Sequence, residues 1–197
     1  MKPIAAAFFF LSTLCASRFV VIAGNGQGQG ESEGSNTAAA AGEVNMKLLE
    51  QACQHSPRKD LCIESLEKDS NSKGADLIGL AYIAVRLAAA MAADVDEHMR
   101  SLLMHNATSL DPVIQQGLAD CVEHYSDAND QLDDCTAAIS ASKFKDVEVW
   151  VNVAISDADF CDNSLKGQES VMVEKNKAFR LLCNNILSII KVLPAEK

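Results

Sequence analysis

The chain has 197 residues, with 27 aspartate and glutamate residues against 17 lysine and arginine residues and a formal net charge of −10. This acidity argues against nucleic acid as a partner, because phosphate groups call for a basic patch. It is compatible with docking onto a basic protein surface.

The N-terminus has the pattern of a secretory signal peptide. Lys2 precedes an apolar run over residues 4–16, which resumes after Arg18 and ends at the small residue Ala23. Because Arg18 interrupts the run, it is a poor match to the roughly 20 apolar residues that span a membrane. We predict a signal peptide over residues 1–23, with cleavage after Ser17 as the alternative, and a soluble secreted protein without a membrane partner.

Residues 24–43 are rich in glycine, serine, glutamine and alanine and contain no aromatic residue. Such a segment cannot bury enough apolar surface to offset the entropy lost on ordering, so we predict a disordered linker. The remaining residues, 44–197, are enough for one domain.

The first predicted elements of this domain are two short helices, at about 44–54 and 58–68, on either side of Ser56-Pro57. We expect this pair to act as a helix cap and a first-turn proline. Cys53 and Cys62 are nine positions apart, which fits neither a zinc pair nor a C-x-x-C redox pair. A tight turn between them can instead bring two helix ends within disulfide reach.

Three longer segments repeat apolar residues at the helical period of three to four. They cover residues 77–102, 113–139 and 178–193. Asp111-Pro112 supplies an N-cap and a first-turn proline for the second segment, and Pro194 ends the third.

Val147–Val153 alternates apolar and polar residues and locally resembles a β-strand. No second alternating run exists to pair with it, so we predict a helix here too. The expected fold is all-α: a four-helix bundle with up-down-up-down topology and an N-terminal helical hairpin.

Five motifs follow one another over residues 45–193. Their order and spacing resemble those of the plant invertase and pectin methylesterase inhibitor family. They are Cys53-x8-Cys62 with Leu61 and Ser65-Leu66, Asp76-Leu77-x-Gly79-Leu80, Asp111-Pro112, Leu118-x-Asp120-Cys121-x-Glu123-x-Tyr125-x-Asp127-Ala128, and Phe160-Cys161-Asp162.

The resemblance implies two disulfides, Cys53–Cys62 and Cys121–Cys161, in keeping with an exported domain. Cys183 matches a fifth cysteine that some family members carry unpaired. Cys135 departs from the family pattern, and its place in an apolar stripe indicates a small core residue. A Cys135–Cys183 bond is the alternative.

The resemblance also implies a function: a proteinaceous enzyme inhibitor of the apoplast or cell wall, with no catalytic activity and no cofactor. It would dock over the active-site cleft of its target in a 1:1 complex. Pectin methylesterase is the favoured target, because Cys183 is more typical of its inhibitors. Invertase is the alternative, because Ser142-Lys143-Phe144 matches two residues of a Pro-Lys-Phe tripeptide found in invertase inhibitors. A secreted helical binding module without an enzyme target is the second alternative.

Two surfaces are candidate partner contacts. The acidic helix around Asp127, Asp130 and Asp134 would face a basic pectin methylesterase, whereas Lys143 and Phe144 would contact an invertase. The sequon Asn106-Ala-Thr108 predicts glycosylation at Asn106.

We expect neither a catalytic site nor a metal site. His98 and His105 are seven positions apart on one predicted helix, with Asp94 one turn before His98. A metal site needs at least one more convergent ligand, and we interpret both histidines as solvated. The acidic cluster lacks the glycine and the terminal glutamate of an EF-hand.

Overall fold

The computed structural model describes residues 46–106, 109–165 and 172–194. All of the regular secondary structure in these residues is helical, which confirms the all-α prediction. The elements are α1 (residues 46–52), α2 (Lys59–Glu67), a 3-10 helix (Ser70–Gly74), α3 (Leu77–Asn106), α4 (Pro112–Ser140), α5 (Phe144–Ser164) and α6 (Val173–Ile190). The predicted signal peptide and linker lie outside the described residues. So do Ala107, Thr108 and the side chain of Asn106, so glycosylation at Asn106 stays a prediction.

The four long helices form the predicted bundle. Helix α3 packs against α4 and α6, and α5 packs against the same two helices. Helices α3 and α5 therefore lie diagonally opposite one another, as do α4 and α6. The connections between consecutive long helices are short in sequence, and the bundle has the predicted up-down-up-down topology.

Aspartate side chains begin two of the long helices. Asp111 Oδ1 accepts a hydrogen bond from the Val113 amide at 2.8 Å, with Pro112 in the first turn, as the sequence predicts. Asp76 Oδ1 accepts from the Gly79 amide at 2.7 Å at the start of α3. Both aspartates satisfy amides that the first helical turn leaves without a backbone partner.

The alternating segment Val147–Val153 lies inside α5, so the helix prediction for it is confirmed. Val147 and Val151 are buried, whereas Val149 and Val153 are exposed. The core side of α5 continues at Ala154, Ala158 and Cys161, with the helical period of three to four. Tertiary packing outweighs the β propensity of its valines.

The expected role of Ser56-Pro57 at the start of the second helix is wrong. Helix α2 begins at Lys59, with Arg58 at its N-cap, and Ser56-Pro57 lies in the preceding turn. The Ser56 hydroxyl accepts a hydrogen bond from the Arg58 amide at 3.3 Å, before the first residue of α2, and donates one to Asn185 Oδ1 at 3.0 Å. A tertiary contact with α6 thus engages the side chain that was expected to cap α2.

Buried polar residues of α6 hold the N-terminal hairpin in place. Ser188 Oγ donates to the carbonyl oxygen of Ala52 at 2.7 Å and accepts from the His55 amide at 3.1 Å. Asn185 Nδ2 donates to Ser65 Oγ at 3.3 Å. The hairpin is therefore fixed to α6, diagonally across the bundle from α4.

Helix α3 is unusually apolar. Residues Leu77–His105 would be long and apolar enough to cross a membrane, with a mean hydropathy of 1.7 over 18 residues. In the bundle this helix contributes core side chains, among them Leu80, Ala88, Val95 and Met99. A helix that packs into the core of a soluble bundle can have the same composition. Length and composition alone are therefore weak evidence that α3 spans a membrane.

Candidate functional site

An acidic stripe follows the exposed side of α4. It consists of Asp120, Glu123, Asp127, Asp130 and Asp134, which recur at intervals of three and four and so share one face of the helix. At a rise of about 1.5 Å per residue, the stripe is about 21 Å long. The three predicted contacts, Asp127, Asp130 and Asp134, are all exposed.

An apolar ridge follows the exposed side of α5. Val149 is 58%, Val153 42% and Phe160 53% exposed. Their spacing of four and seven positions places them on one helix face. Single exposed apolar residues are common, whereas a contiguous exposed apolar patch can mark a protein-binding surface.

His124 joins the stripe to the ridge. Its imidazole stacks on the Phe160 ring, with centroids 5.1 Å apart and planes inclined by 17°. Its Nδ1 atom lies 3.2 Å from Asp157 Oδ1 on α5. The acidic stripe and the apolar ridge therefore border the same groove between two helices, and we call this surface the α4–α5 face.

Asp157 is a buried carboxylate beneath this face. Burial raises the pKa of its carboxyl, Asp127 raises it further, and the adjacent His124 and Gln131 oppose the rise. Asp157 Oδ2 and Gln131 Oε1 are both buried and have no hydrogen-bond partner among the described residues. A buried polar group without a partner costs stability.

The second predicted contact, Lys143-Phe144, lies in the turn between α4 and α5. Ser142 has a positive φ of 57°, and the Lys143 amide donates to the Ala138 carbonyl at 2.9 Å. The Lys143 side chain is exposed. In contrast, the Phe144 ring is half-buried and packs against the core.

Two disulfides brace the molecule, in the pairing that the family resemblance implies. Cys53 is bonded to Cys62 within the hairpin, with their Cα atoms 5.8 Å apart. Cys121 is bonded to Cys161 with a Cα separation of 4.6 Å, and this bond ties α4 to α5. Because the second bond is three residues from His124 on α4 and one from Phe160 on α5, it supports the α4–α5 face directly.

Cys135 and Cys183 are buried free thiols. Burial raises the pKa of Cys135 to about 12 and also raises the pKa of Cys183. A thiol reacts as its thiolate, so both side chains act as small core residues rather than as nucleophiles.

A network of hydrogen bonds connects the N-terminal half of α6 to α4 and α5. The Tyr125 hydroxyl donates to Asn176 Oδ1 at 2.8 Å, and Asn176 Nδ2 donates to Asp162. Arg180 donates to Asp162 at 2.7 Å and to Asp159 at 3.0 Å. These contacts hold three helices in a single arrangement, which favours a rigid surface.

The described residues contain no group of three or more histidine, cysteine or acidic side chains that could hold a metal. His98 differs from the expectation of a solvated side chain, because its Nε2 atom is buried. Sequence reasoning also missed Phe160 and the His124–Asp157 pair. The two members of the pair are 33 residues apart, and no local pattern gives the register between α4 and α5.

Known proteins share both the sequence pattern and the fold. The sequence model of the family described as plant invertase/pectin methylesterase inhibitor matches residues 47–189. A pectinesterase inhibitor of Actinidia deliciosa is 27% identical over 76% of this chain and 81% of its own length. A Platanus orientalis protein named "Putative invertase inhibitor" is 28% identical over 74% of this chain and 87% of its own length.

Two crystal structures have a similar fold. The mutant form A of a pectin methylesterase inhibitor from Arabidopsis gives a TM-score of 0.65 at 22% identity, over 75% of this chain and 98% of the other. A pectin methylesterase inhibitor from Arabidopsis thaliana gives 0.57 at 22% identity, over 75% and 97%. Since the family match extends over most of the chain, the chain belongs to the plant invertase/pectin methylesterase inhibitor family, whose members are inhibitors rather than enzymes.

Proposed function

We propose that this chain is a secreted inhibitor of pectin methylesterase. It acts in the apoplast or cell wall, and it covers the active-site cleft of the enzyme with the α4–α5 face in a 1:1 complex. The observation that carries this proposal is the acidic stripe beside the exposed ridge of Val149, Val153 and Phe160.

The two halves of the face have different roles in binding. Five carboxylates over about 21 Å would attract a basic enzyme surface and speed the encounter. The apolar ridge would supply the contact that persists afterwards, because well-buried aromatic and aliphatic side chains carry most of the energy of an interface. The disulfide between Cys121 and Cys161 lowers the cost of ordering this face on binding.

The relatives support both targets about equally, since the Actinidia and Platanus orientalis proteins differ by one percentage point in identity. The packing of Phe144 favours pectin methylesterase over invertase as the target. An aromatic anchor must be able to enter a pocket on the partner. Phe144 packs against the core of its own molecule, so inserting its ring into an invertase would first require that packing to be given up.

Invertase inhibition is the alternative function, and the exposed Lys143 beside Ser142 in the α4–α5 turn is the observation that favours it. A binding module without an enzyme target is the remaining possibility, because a helical bundle supports many functions.

The test is a titration of purified, disulfide-bonded protein into pectin methylesterase and, separately, into invertase. We expect esterase activity to fall to its floor near one equivalent of inhibitor, with invertase activity unchanged. Inhibition of invertase alone would establish the alternative target, and inhibition of neither enzyme would favour the binding module.

A further inference from the structure

We propose that His124 and Asp157 position the Phe160 ring on the α4–α5 face, and that they hold it most firmly when the imidazole carries a second proton. The effect on affinity rests on the proposed function, because it assigns Phe160 to the surface that meets the enzyme. The positioning itself is a property of the isolated protein.

The three side chains form a chain of contacts from the interior to the surface. Asp157 is 6% exposed, His124 is partly exposed, and Phe160 is more than half exposed. His124 is the middle member, with Asp157 Oδ1 3.2 Å from its Nδ1 and the Phe160 centroid 5.1 Å from its own. A change at the imidazole is therefore transmitted directly to the ring that a partner would contact.

One proton strengthens both contacts at once. With a neutral imidazole, the contact between Nδ1 and the Asp157 carboxylate has one ionised partner. In the imidazolium Nδ1 carries a proton and both partners are charged, which strengthens the bond further. A cation stacked within about 6 Å of a ring centroid is also attracted to the aromatic face. Imidazole is the side chain that commonly changes charge between pH 5 and 8, so mild acid should tighten the whole chain of contacts.

The charged side chains around His124 and Asp157 belong to α4, α5 and α6. On α4, carboxylates flank His124 one turn away on each side, at Asp120 and Asp127, and Glu123 is adjacent. From α6, Arg180 pairs with Asp159 and Asp162 of α5. Helix α3 packs on the other flank of α4, and the hydroxyl groups of Tyr82 and Ser140 are hydrogen-bonded there. His124 is the ion-pair partner of Asp157 in the described part of the chain.

The first test uses the isolated mature protein with ¹³C-labelled histidine and phenylalanine rings, titrated by NMR from pH 8.5 to 4.5. We expect the Phe160 ring signals to move with the same midpoint as the His124 ring signals. In Asp157→Asn, which keeps an acceptor but removes the charge, the Phe160 shift should fall by at least half. Phe160 signals that stay constant while His124 titrates would overturn the proposal, whether or not the protein inhibits any enzyme.

The second test compares inhibition constants for pectin methylesterase at pH 5.5 and pH 7.5. His124→Phe keeps a stacking ring but loses both the bond to Asp157 and the site of the proton, so we expect weaker affinity than wild type at both pH values, with the larger loss, about tenfold, at pH 5.5. Taking the ratio of variant to wild type at each pH cancels the titration of the enzyme. His55→Gln, in the distant hairpin, is the matched control and should give a ratio of one at both values.

The outcomes separate the two proposals. A His124→Phe ratio that does not change with pH would overturn the positioning role, even if the protein is a strong inhibitor. If wild-type protein fails to inhibit the esterase at either pH, the proposed function fails, and the NMR titration alone decides whether His124 and Asp157 control the ring.

Discussion

The hydroxyl of Tyr125 donates a hydrogen bond to Asn176 Oδ1 across the bundle core, at 2.8 Å. Both residues are buried, and the Tyr125 ring also contacts the Phe179 ring edge-on at a centroid distance of 5.1 Å. The contact joins the diagonal helices α4 and α6.

Replacing Tyr125 by phenylalanine should therefore destabilise the protein. The ring contact survives, but the Asn176 oxygen is left buried without its donor, so we expect a loss of about 1–3 kcal/mol in the free energy of unfolding. Urea denaturation gives the value. Tyr82→Phe is the matched control, because its hydroxyl bonds to Ser140 at the surface, and it should change stability by less than about 0.5 kcal/mol. Equal effects in the two variants would contradict the role of the buried bond.

Gly117 marks the closest approach between α4 and the end of α5. A Cβ atom at this position would lie 2.6 Å from the carbonyl oxygen of Ser164, which is a backbone atom and can move only with its helix. Gly117→Ala should lower the melting temperature and destabilise by about 1–3 kcal/mol. Gly74→Ala, where a Cβ would meet nothing within 4 Å, should be neutral or slightly stabilising.

The two free thiols should be unreactive in the folded protein. With a pKa of about 12 for Cys135 and a raised pKa for the buried Cys183, little thiolate exists at pH 8. In the mature protein, from which the predicted signal peptide with Cys15 has been removed, iodoacetamide should leave the native chain unmodified and label Cys135 and Cys183 after unfolding without reductant. Peptide mapping should then show Cys53–Cys62 and Cys121–Cys161. Labelling of no cysteine after unfolding would reveal a Cys135–Cys183 bond instead.

Asp157→Asn should change how stability depends on pH. Because burial raises the native pKa of Asp157 above the ordinary value of 3.8, the native state retains a proton that the unfolded state releases between the two values. Wild-type stability therefore falls as pH rises through that window. We expect the variant to gain stability relative to wild type as pH is raised from 3 to 7, as measured by urea denaturation at each pH. A difference that stays constant with pH would show that the carboxyl has no raised pKa.

Taken with the proposed positioning of Phe160, the same variant should also lose pH control of the ring.

The sequence predicted those features that depend on neighbouring residues. The helical apolar period and the Asp111 cap follow from local spacing and hydrogen bonding. The helix around Val151 was predicted for a different reason, because no second alternating run could pair with that segment as a strand. The 3-10 helix at Ser70–Gly74 escaped prediction because it is short and carries no apolar period.

The sequence predicted only one of the two parts of the α4–α5 face. The acidic stripe can be identified from α4 alone, since its five carboxylates share one helical face. The apolar ridge was obscured by the strand-like alternation of Val149 and Val153, and Phe160 was noticed only as a neighbour of Cys161. The contact of His124 with Asp157 depends on the rotation and register of two packed helices, which side-chain packing determines and local sequence does not.

The central claim is that the α4–α5 face inhibits pectin methylesterase, and it can be tested by neutralising the acidic stripe without changing its shape. The variant Asp127→Asn/Asp130→Asn/Asp134→Asn removes three carboxylates from the face. The control Glu50→Gln/Glu64→Gln/Glu67→Gln removes three exposed carboxylates from the hairpin, which packs against α6 and α3 and away from α4.

The decisive measurement is the association rate and inhibition constant of wild type and both variants against pectin methylesterase, at low and at high salt. We predict that the stripe variant associates about tenfold more slowly at low salt, that the difference shrinks at high salt, and that the hairpin control stays within about twofold of wild type. Equal losses in the two variants, or no loss in the stripe variant, would contradict the proposed docking face.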